Sequence, residues 1–100
     1  KSLNISSLAE EDLRAIYDYI AEDSPTIAQI FVAELVDQMY KIADLNLPGS
    51  PRDWVRDGLR VLTYKQRCIY FRSYDDRIDI IRVVHGKQDI DAVFGQETNE

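Results

Sequence analysis

The sequence predicts an α+β domain of two layers, a helical hairpin packed on a small, mostly antiparallel sheet, in the order β-α-α-β-β-β. Three observations carry that prediction. Two apolar patterns of helical period stand only two residues apart. From Leu59 the apolar period changes to two. A short alternating segment precedes both helical patterns.

Lys1–Ser6 alternates, with Leu3 and Ile5 on one face, and reads as a strand. Ser7 followed by Glu10 forms an S-x-x-E capping box, in which each side chain takes up an orphan N–H of the first turn. Glu10, Glu11 and Asp12 then sit where the helix dipole favours negative charge. Leu13, Ile16, Tyr17 and Ile20 follow the i, i+3, i+4, i+7 rule, so one stripe of a first helix over about 7–22 should be buried. Ser24-Pro25 starts a second helix, with Ser as N-cap and Pro at the position where a missing N–H costs nothing. Ala28, Phe31, Leu35, Met39 and Ile42 form its stripe, and Ile27, Ile30, Val32 and Val36 widen it to both sides. A helix this broadly apolar must touch more than one neighbour.

Leu47-Pro48-Gly49 ends the second helix, and residues 48–58 read as a loop in which Trp54-Val55 could dock as a helical turn. Three strands follow, Leu59–Tyr64, Arg67–Ser73 and Arg77–His85, rich in Val, Ile, Tyr and Phe. Asp75-Asp76 is a plausible hairpin turn. Lys65-Gln66 is a poorer one, since neither residue favours positive φ. Apolar residues on both faces of the last strand mark it as central and covered on each side. Asp89–Phe94 is a terminal helical turn, and 95–100 a frayed polar tail.

One hundred residues are expected to make one domain, 1–100. A single Cys excludes a disulfide framework and a Cys-based zinc site. No apolar run approaches the ~20 residues of a membrane helix, so no membrane partner is expected. No signal-peptide pattern opens the chain, and a reduced, cytoplasmic compartment is the expectation. The net charge of −6 opposes general attraction to nucleic acid. The charge is uneven, however. Residues 1–47 hold three bases against nine acids, whereas 52–87 hold nine bases against five, so acidic and basic halves should form different layers.

Gly58-Leu59-Arg60, then Arg67 to Phe71, then Asp79 to Ile90 together resemble the ParE/RelE superfamily of toxins from bacterial type II toxin–antitoxin modules. The ending R-V-x-H-G-x-x-D-I, Arg82 to Ile90, is similar to the ParE branch, as is the first-helix pattern from Asp12 to Ile20. The resemblance spans about residues 3–94. It implies the two-layer ParE/RelE-like fold already read from the periods. It also implies a ParD-like antitoxin partner in a hetero-oligomer, no cofactor, and one of two targets. RelE-like toxins cut mRNA on the ribosome, and ParE-like toxins poison DNA gyrase.

Cleavage through a 2′-OH needs a proton acceptor, a leaving-group acid and cations aimed at the phosphate. By the resemblance, Arg67 matches one RelE-type arginine and Arg60 stands near a basic position. Gln88 stands where a second catalytic arginine would be, and Phe94 where the tyrosine would be. Gln has no charge for the phosphate, and Phe has no hydroxyl to move a proton. No catalytic residue is therefore assigned, and inhibition of gyrase by binding is the expected activity. The alternatives are a RelE-like ribosome-dependent endoribonuclease and a degenerate antitoxin-binding module.

Arg60, Arg67, Arg72 and Arg82, with His85 and Lys87, are the candidate target-binding residues. Arg72 and Arg82 lie on adjacent strands and could share a face. Two readings stand for these arginines: ion pairs with Asp75, Asp79 or the acidic helices, or a patch for gyrase, its DNA or an acidic antitoxin segment. His85 is the only imidazole and would be the obvious general base, but a strand-end His before Gly also commonly binds backbone. Asp75, Asp76 and Asp79 read as a solvated turn rather than a metal site, and no metal is expected. Cys68 reads as a small buried hydrophobe. Ile27, Ile30, Val36 and Tyr40 are expected to line one groove for an antitoxin helix.

Overall fold

The computed structural model describes residues 1–95. Its elements are β1 (Ser2–Ile5), α1 (Ser7–Ala21), α2 (Pro25–Leu45), β2 (Ser50–Pro51), β3 (Arg60–Tyr64), β4 (Arg67–Ser73), β5 (Arg77–His85) and α3 (Ile90–Gly95). They make the expected α+β arrangement, a helical hairpin on a sheet of order β1-β5-β4-β3-β2. Neighbouring strands are antiparallel except β1 and β5, which are parallel. The crossover between those two holds the hairpin and the rest of the sheet. Of the expected polar tail, only Gly95 falls within the described residues, where it closes α3.

The first helix starts where read, at Ser7, but its cap stands one residue earlier than the capping box implies. Ser6, not Ser7, is the N-cap, and its Oγ accepts from the Ala9 N–H at 3.0 Å. The sheet decides this. Ser6 N–H donates to the Ile80 carbonyl at 3.0 Å and Ser6 Oγ donates to the Ile81 carbonyl at 2.8 Å, so Ser6, just past β1, is held extended against β5. The second start is as read: Ser24 Oγ accepts from Ile27 N–H, with Pro25 first in the helix. Tyr17, expected in the buried stripe, lies at the surface.

The loop over 48–58 contains a strand that alternation could not show. Ser50–Pro51 pairs antiparallel with Val61 and Arg60. Pro51 is tolerated because β2 is the sheet edge. Gly49, at φ 58°, admits no side chain, since a Cβ there would stand 2.6 Å from the Val61 carbonyl oxygen. The poor turn at Lys65-Gln66 forms nonetheless, with φ 45° and 68°. Tyr64 and Arg67 pair across it, so only those two residues can make the connection.

β5 is interior, as its two apolar faces require. On the hairpin face Leu35, Met39 and Ile42 pack on Ile69, Phe71, Ile78, Ile80 and Val83. On the far face Leu59, Val61, Tyr70 and Val84 pack on Val93 and Phe94 of α3. Cys68 is half-buried against this second cluster. The ladder between β4 and β5 slips at Tyr70/Phe71, where Arg82 and Ile80 are the partners and Ile81 is the extra residue.

Candidate functional site

β1 ends at Ile5, opposite Ile80, and leaves the C-terminal half of β5 without a strand on that side. The start of α1 replaces it. Asp12 Oδ2 accepts the Val83 N–H at 2.9 Å, taking up a donor that β1 does not reach. The same carboxylate grips Arg82, with Nε to Oδ2 at 2.8 Å and Nη2 to Oδ1 at 3.0 Å. Arg82 and Asp12 are only 17% and 15% exposed. Arg82 Nη1 also donates to the Val93 carbonyl, tying α3 to the same point. The expected dipole role of Asp12 is thus secondary to a fork-on-carboxylate pair. Arg82 resolves to the ion-pair reading with an acidic helix.

Beside that pair lies a cleft of about 270 Å³ between α1 and the ends of β4 and β5. Arg67, His85, Gln88 and Tyr19 line it with Asp12. Arg67 and His85 are cross-strand partners. The Arg67 guanidinium rests on the Phe31 ring, 5.5 Å from its centroid, which fixes a cation on the cleft wall. His85 Nδ1 accepts from the Lys87 N–H at 3.1 Å, so a neutral His85 carries its proton on Nε2. Gln88 is positioned by its N–H bond to the His85 carbonyl. Lys87 itself is exposed. Phe94 is elsewhere. It is buried on the far face, edge-on to Tyr70 with centroids 5.1 Å apart, and its work is packing. Burial also pushes the Tyr70 phenol above its ordinary value.

The other arginines do not join this cleft. Arg60 Nε donates to the Pro48 carbonyl at 2.7 Å, beyond the C-terminus of α2. Arg72 alternates to the far face, where it lines a cavity of about 410 Å³ with Asp57, Gly58, Ser73 and Tyr74. Its Nε is buried with no hydrogen-bond partner among the described residues. An unpaired buried donor costs about 1–3 kcal/mol. The four arginines therefore occupy separate sites rather than one patch. Arg72 and Arg82 in particular do not act together, because Arg82 turns over the edge of β5 to α1.

The four antitoxin candidates do not line one groove. Ile27, Ile30 and Tyr40 are each more than half exposed, and Val36 is partly covered. Val36 follows Ile27 by nine residues, about half a turn around the helix at ~100° per residue. Ile27 and Ile30 share one flank, and Val36 and Tyr40 another. The first flank continues into Glu34, which accepts from Tyr64 Oη and Lys65 Nζ, each at 2.9 Å. Those bonds hold the Glu34 carboxyl below its ordinary value, Lys65 contributing most, and raise Lys65 in turn.

Tyr19 was not singled out as a site residue in the sequence, and Trp54, expected to dock with Val55 as a helical turn, leaves the docking to Val55. Tyr19 lines the cleft and is largely exposed. Trp54, 75% exposed, stands on the 52–58 loop with the Arg52 guanidinium 5.3 Å from its ring centroid. Neither carries a local signal: an aromatic in a helix or loop looks the same in sequence whether it faces core or solvent. No group of three or more His, Cys, Asp or Glu among the described residues is placed to hold a metal. No helix among them is long and apolar enough to cross a membrane.

Residues 3–90 match the model of a family described as the ParE toxin of the type II toxin–antitoxin system parDE. A solved structure, described as a chromosomal ParDE system from P. aeruginosa, superposes with a TM-score of 0.71 at 29% identity. The match covers 84% of this chain and 94% of that one. No curated protein matches the sequence.

Proposed function

This chain belongs to the ParE toxin family of type II toxin–antitoxin systems, and from that premise we propose that it inhibits DNA gyrase by binding. It traps the enzyme on cleaved DNA and makes no covalent change itself. A ParD-like antitoxin neutralises it in a cytoplasmic hetero-oligomer, covering exposed apolar surface of α2. One observation carries the binding mode. The cleft that would have to hold a scissile phosphate brings an uncharged amide, Gln88, to its wall. The position implied for a proton-donating tyrosine is Phe94, buried on the opposite face. Transition-state charge on phosphate needs cations and an acid within reach.

A second reading keeps RNA cleavage. Arg67 and His85 stand opposite each other in the cleft, with Tyr19 beside them. One experiment separates the two. Purified chain is added to a gyrase supercoiling assay and, in parallel, to a translation reaction whose mRNA ends are mapped. The binding mode expects lost supercoiling, accumulated cleaved DNA, intact mRNA, and rescue by the antitoxin. It also expects Arg67→Gln and His85→Ala to remain inhibitory. Retained supercoiling with fresh cuts in ribosomal A sites, abolished by either substitution, establishes the enzyme instead.

A further inference from the structure

Arg72 is a cation whose natural counter-charge is taken. Its partner in the β4–β5 ladder is Asp79, the placement that ordinarily pairs opposite charges across strands. Asp79 Oδ1 instead accepts from Arg77 Nε at 3.1 Å and from Asn4 Nδ2 at 3.3 Å. Arg72 makes no ion pair among the described residues, and its buried Nε–H has no acceptor. The guanidinium lines the far-face cavity with Gly58, Ser73 and Tyr74. A fork of this kind is matched by an oxyanion.

Beside the cavity the 52–58 loop presents Trp54. That loop is tied at five points: Arg52 N–H to Leu59 O, Val55 and Arg56 N–H to Arg52 O, Leu59 N–H to Arg56 O, and Gly58 N–H to Asp53 Oδ1. The largest apolar side chain of the protein is thus held in solvent by a fastened loop. A Trp and an Arg presented this way are the residue types that dominate protein interfaces. The charge around them selects the kind of oxyanion. Asp57 on the cavity wall, Asp75-Asp76 in the adjoining turn and a net charge of −6 repel an anion in proportion to its charge, so they oppose a polyanion far more than a single carboxylate, whose one charge Arg72 can match.

We propose that the far face is where this toxin meets its target protein, with an Asp or Glu carboxylate of gyrase seated on Arg72 and apolar surface of gyrase on Trp54. The inference rests on the reading of the chain as a gyrase-binding toxin. It places the contact across the sheet from the helical hairpin and away from the Arg67–His85 cleft.

The test has two arms on the intact chain. In the first, ¹⁵N-labelled protein is titrated with sodium acetate, sodium phosphate and sodium chloride at matched ionic strength, while the Arg72 Nε–H and the Trp54 indole N–H are followed. Acetate is expected to move the Arg72 signal several-fold more than chloride. Equal shifts overturn the oxyanion site whether or not gyrase binds, and a response to phosphate far above acetate overturns the choice of a carboxylate. In the second arm, gyrase affinity is measured for the wild type, Arg72→Gln, Arg72→Lys and Trp54→Ala, with melting temperature and antitoxin affinity as controls. Arg72→Gln and Trp54→Ala are each expected to weaken gyrase binding at least tenfold, with Arg72→Lys intermediate and the controls unchanged. Full gyrase affinity in both variants overturns the proposed surface. A wild type that does not bind gyrase refutes the target, a result distinct from the acetate arm.

Discussion

Asp12 and Arg82, 70 residues apart, join through two hydrogen bonds of 2.8 and 3.0 Å while the same carboxylate takes the Val83 N–H at 2.9 Å. One side chain of α1 thereby completes the edge of β5 where β1 has stopped, and fixes the helix against the strand. Asp12→Ala would leave a mostly buried guanidinium without its carboxylate and the Val83 N–H without its acceptor. The expected loss is about 2–4 kcal/mol of unfolding free energy, read from urea denaturation. The double variant Asp12→Ala, Arg82→Met should lose clearly less than the two single changes added together, because no unpaired charge is then buried and only the Val83 N–H still lacks its acceptor. Strict additivity would mean that the pair is not coupled.

The periods of the sequence were enough for the elements that bury a face. The helical stripe from Ala28 to Ile42 and the two-faced strand Arg77–His85 both have cores to meet, and both appear where read. Elements fixed by pairing alone were not legible. β2 is two residues long and exists because Val61 and Arg60 offer it an edge. Ser6 caps α1 because β5 holds it, a contact 75 residues away. For the same reason the arginines could be found but not sorted. Alternation places Arg67 and Arg72 on opposite faces, yet only the fold shows Phe31 under one and no acceptor beside the other. The extra residue at Ile81 further separates Arg82 from the simple count.

If the antitoxin covers α2, as proposed, the helix offers it two exposed flanks, and single substitutions distinguish them. Ile30→Asp and Tyr40→Asp each change an exposed residue, so the melting temperature should hardly move. The flank that carries an antitoxin helix should lose about 2 kcal/mol or more of binding when its anchor becomes a buried charge. The other should lose almost nothing. Calorimetric titration with the antitoxin reads both, and equal small losses would place the antitoxin off α2 altogether.

Glu34, Tyr64 and Lys65 predict a pH signature. Glu34 titrates lower in the folded chain, chiefly through Lys65, so its contribution is present above the ordinary carboxylate range. It is lost as pH falls through the lowered folded value. Lys65 titrates higher, so its contribution is full below the ordinary lysine range and is lost as pH rises through the raised folded value. Wild type should therefore melt slightly above Glu34→Gln across the neutral range, with the gap closing at both extremes. The gap should be small, since the groups are largely solvated, and should shrink with salt. A gap that persists in strong acid would assign it to packing rather than charge.

The turn next to that cluster carries a local cost that the sequence announces. Lys65 and Gln66 both adopt positive φ, at 45° and 68°, although neither is Gly, Asn or Asp. A side-chain-bearing residue in the left-handed region is held there only by its surroundings. Here the surroundings are the Tyr64–Arg67 pair that closes the hairpin, the Glu34 bonds to Tyr64 and Lys65, and the Gly86 N–H donated to the Gln66 carbonyl at 2.8 Å. All of these survive at position 66 without a side chain. Gln66→Gly should remove the steric cost and keep every bond. The gain is reduced by the greater freedom of glycine in the unfolded chain. A net stabilisation of about 0.5–1 kcal/mol is expected, seen as a higher urea midpoint with an unchanged slope. Gln66→Val should act in the opposite direction, because a β-branched side chain fits positive φ worst. A glycine variant less stable than wild type would mean that the Gln66 side chain itself stabilises the hairpin.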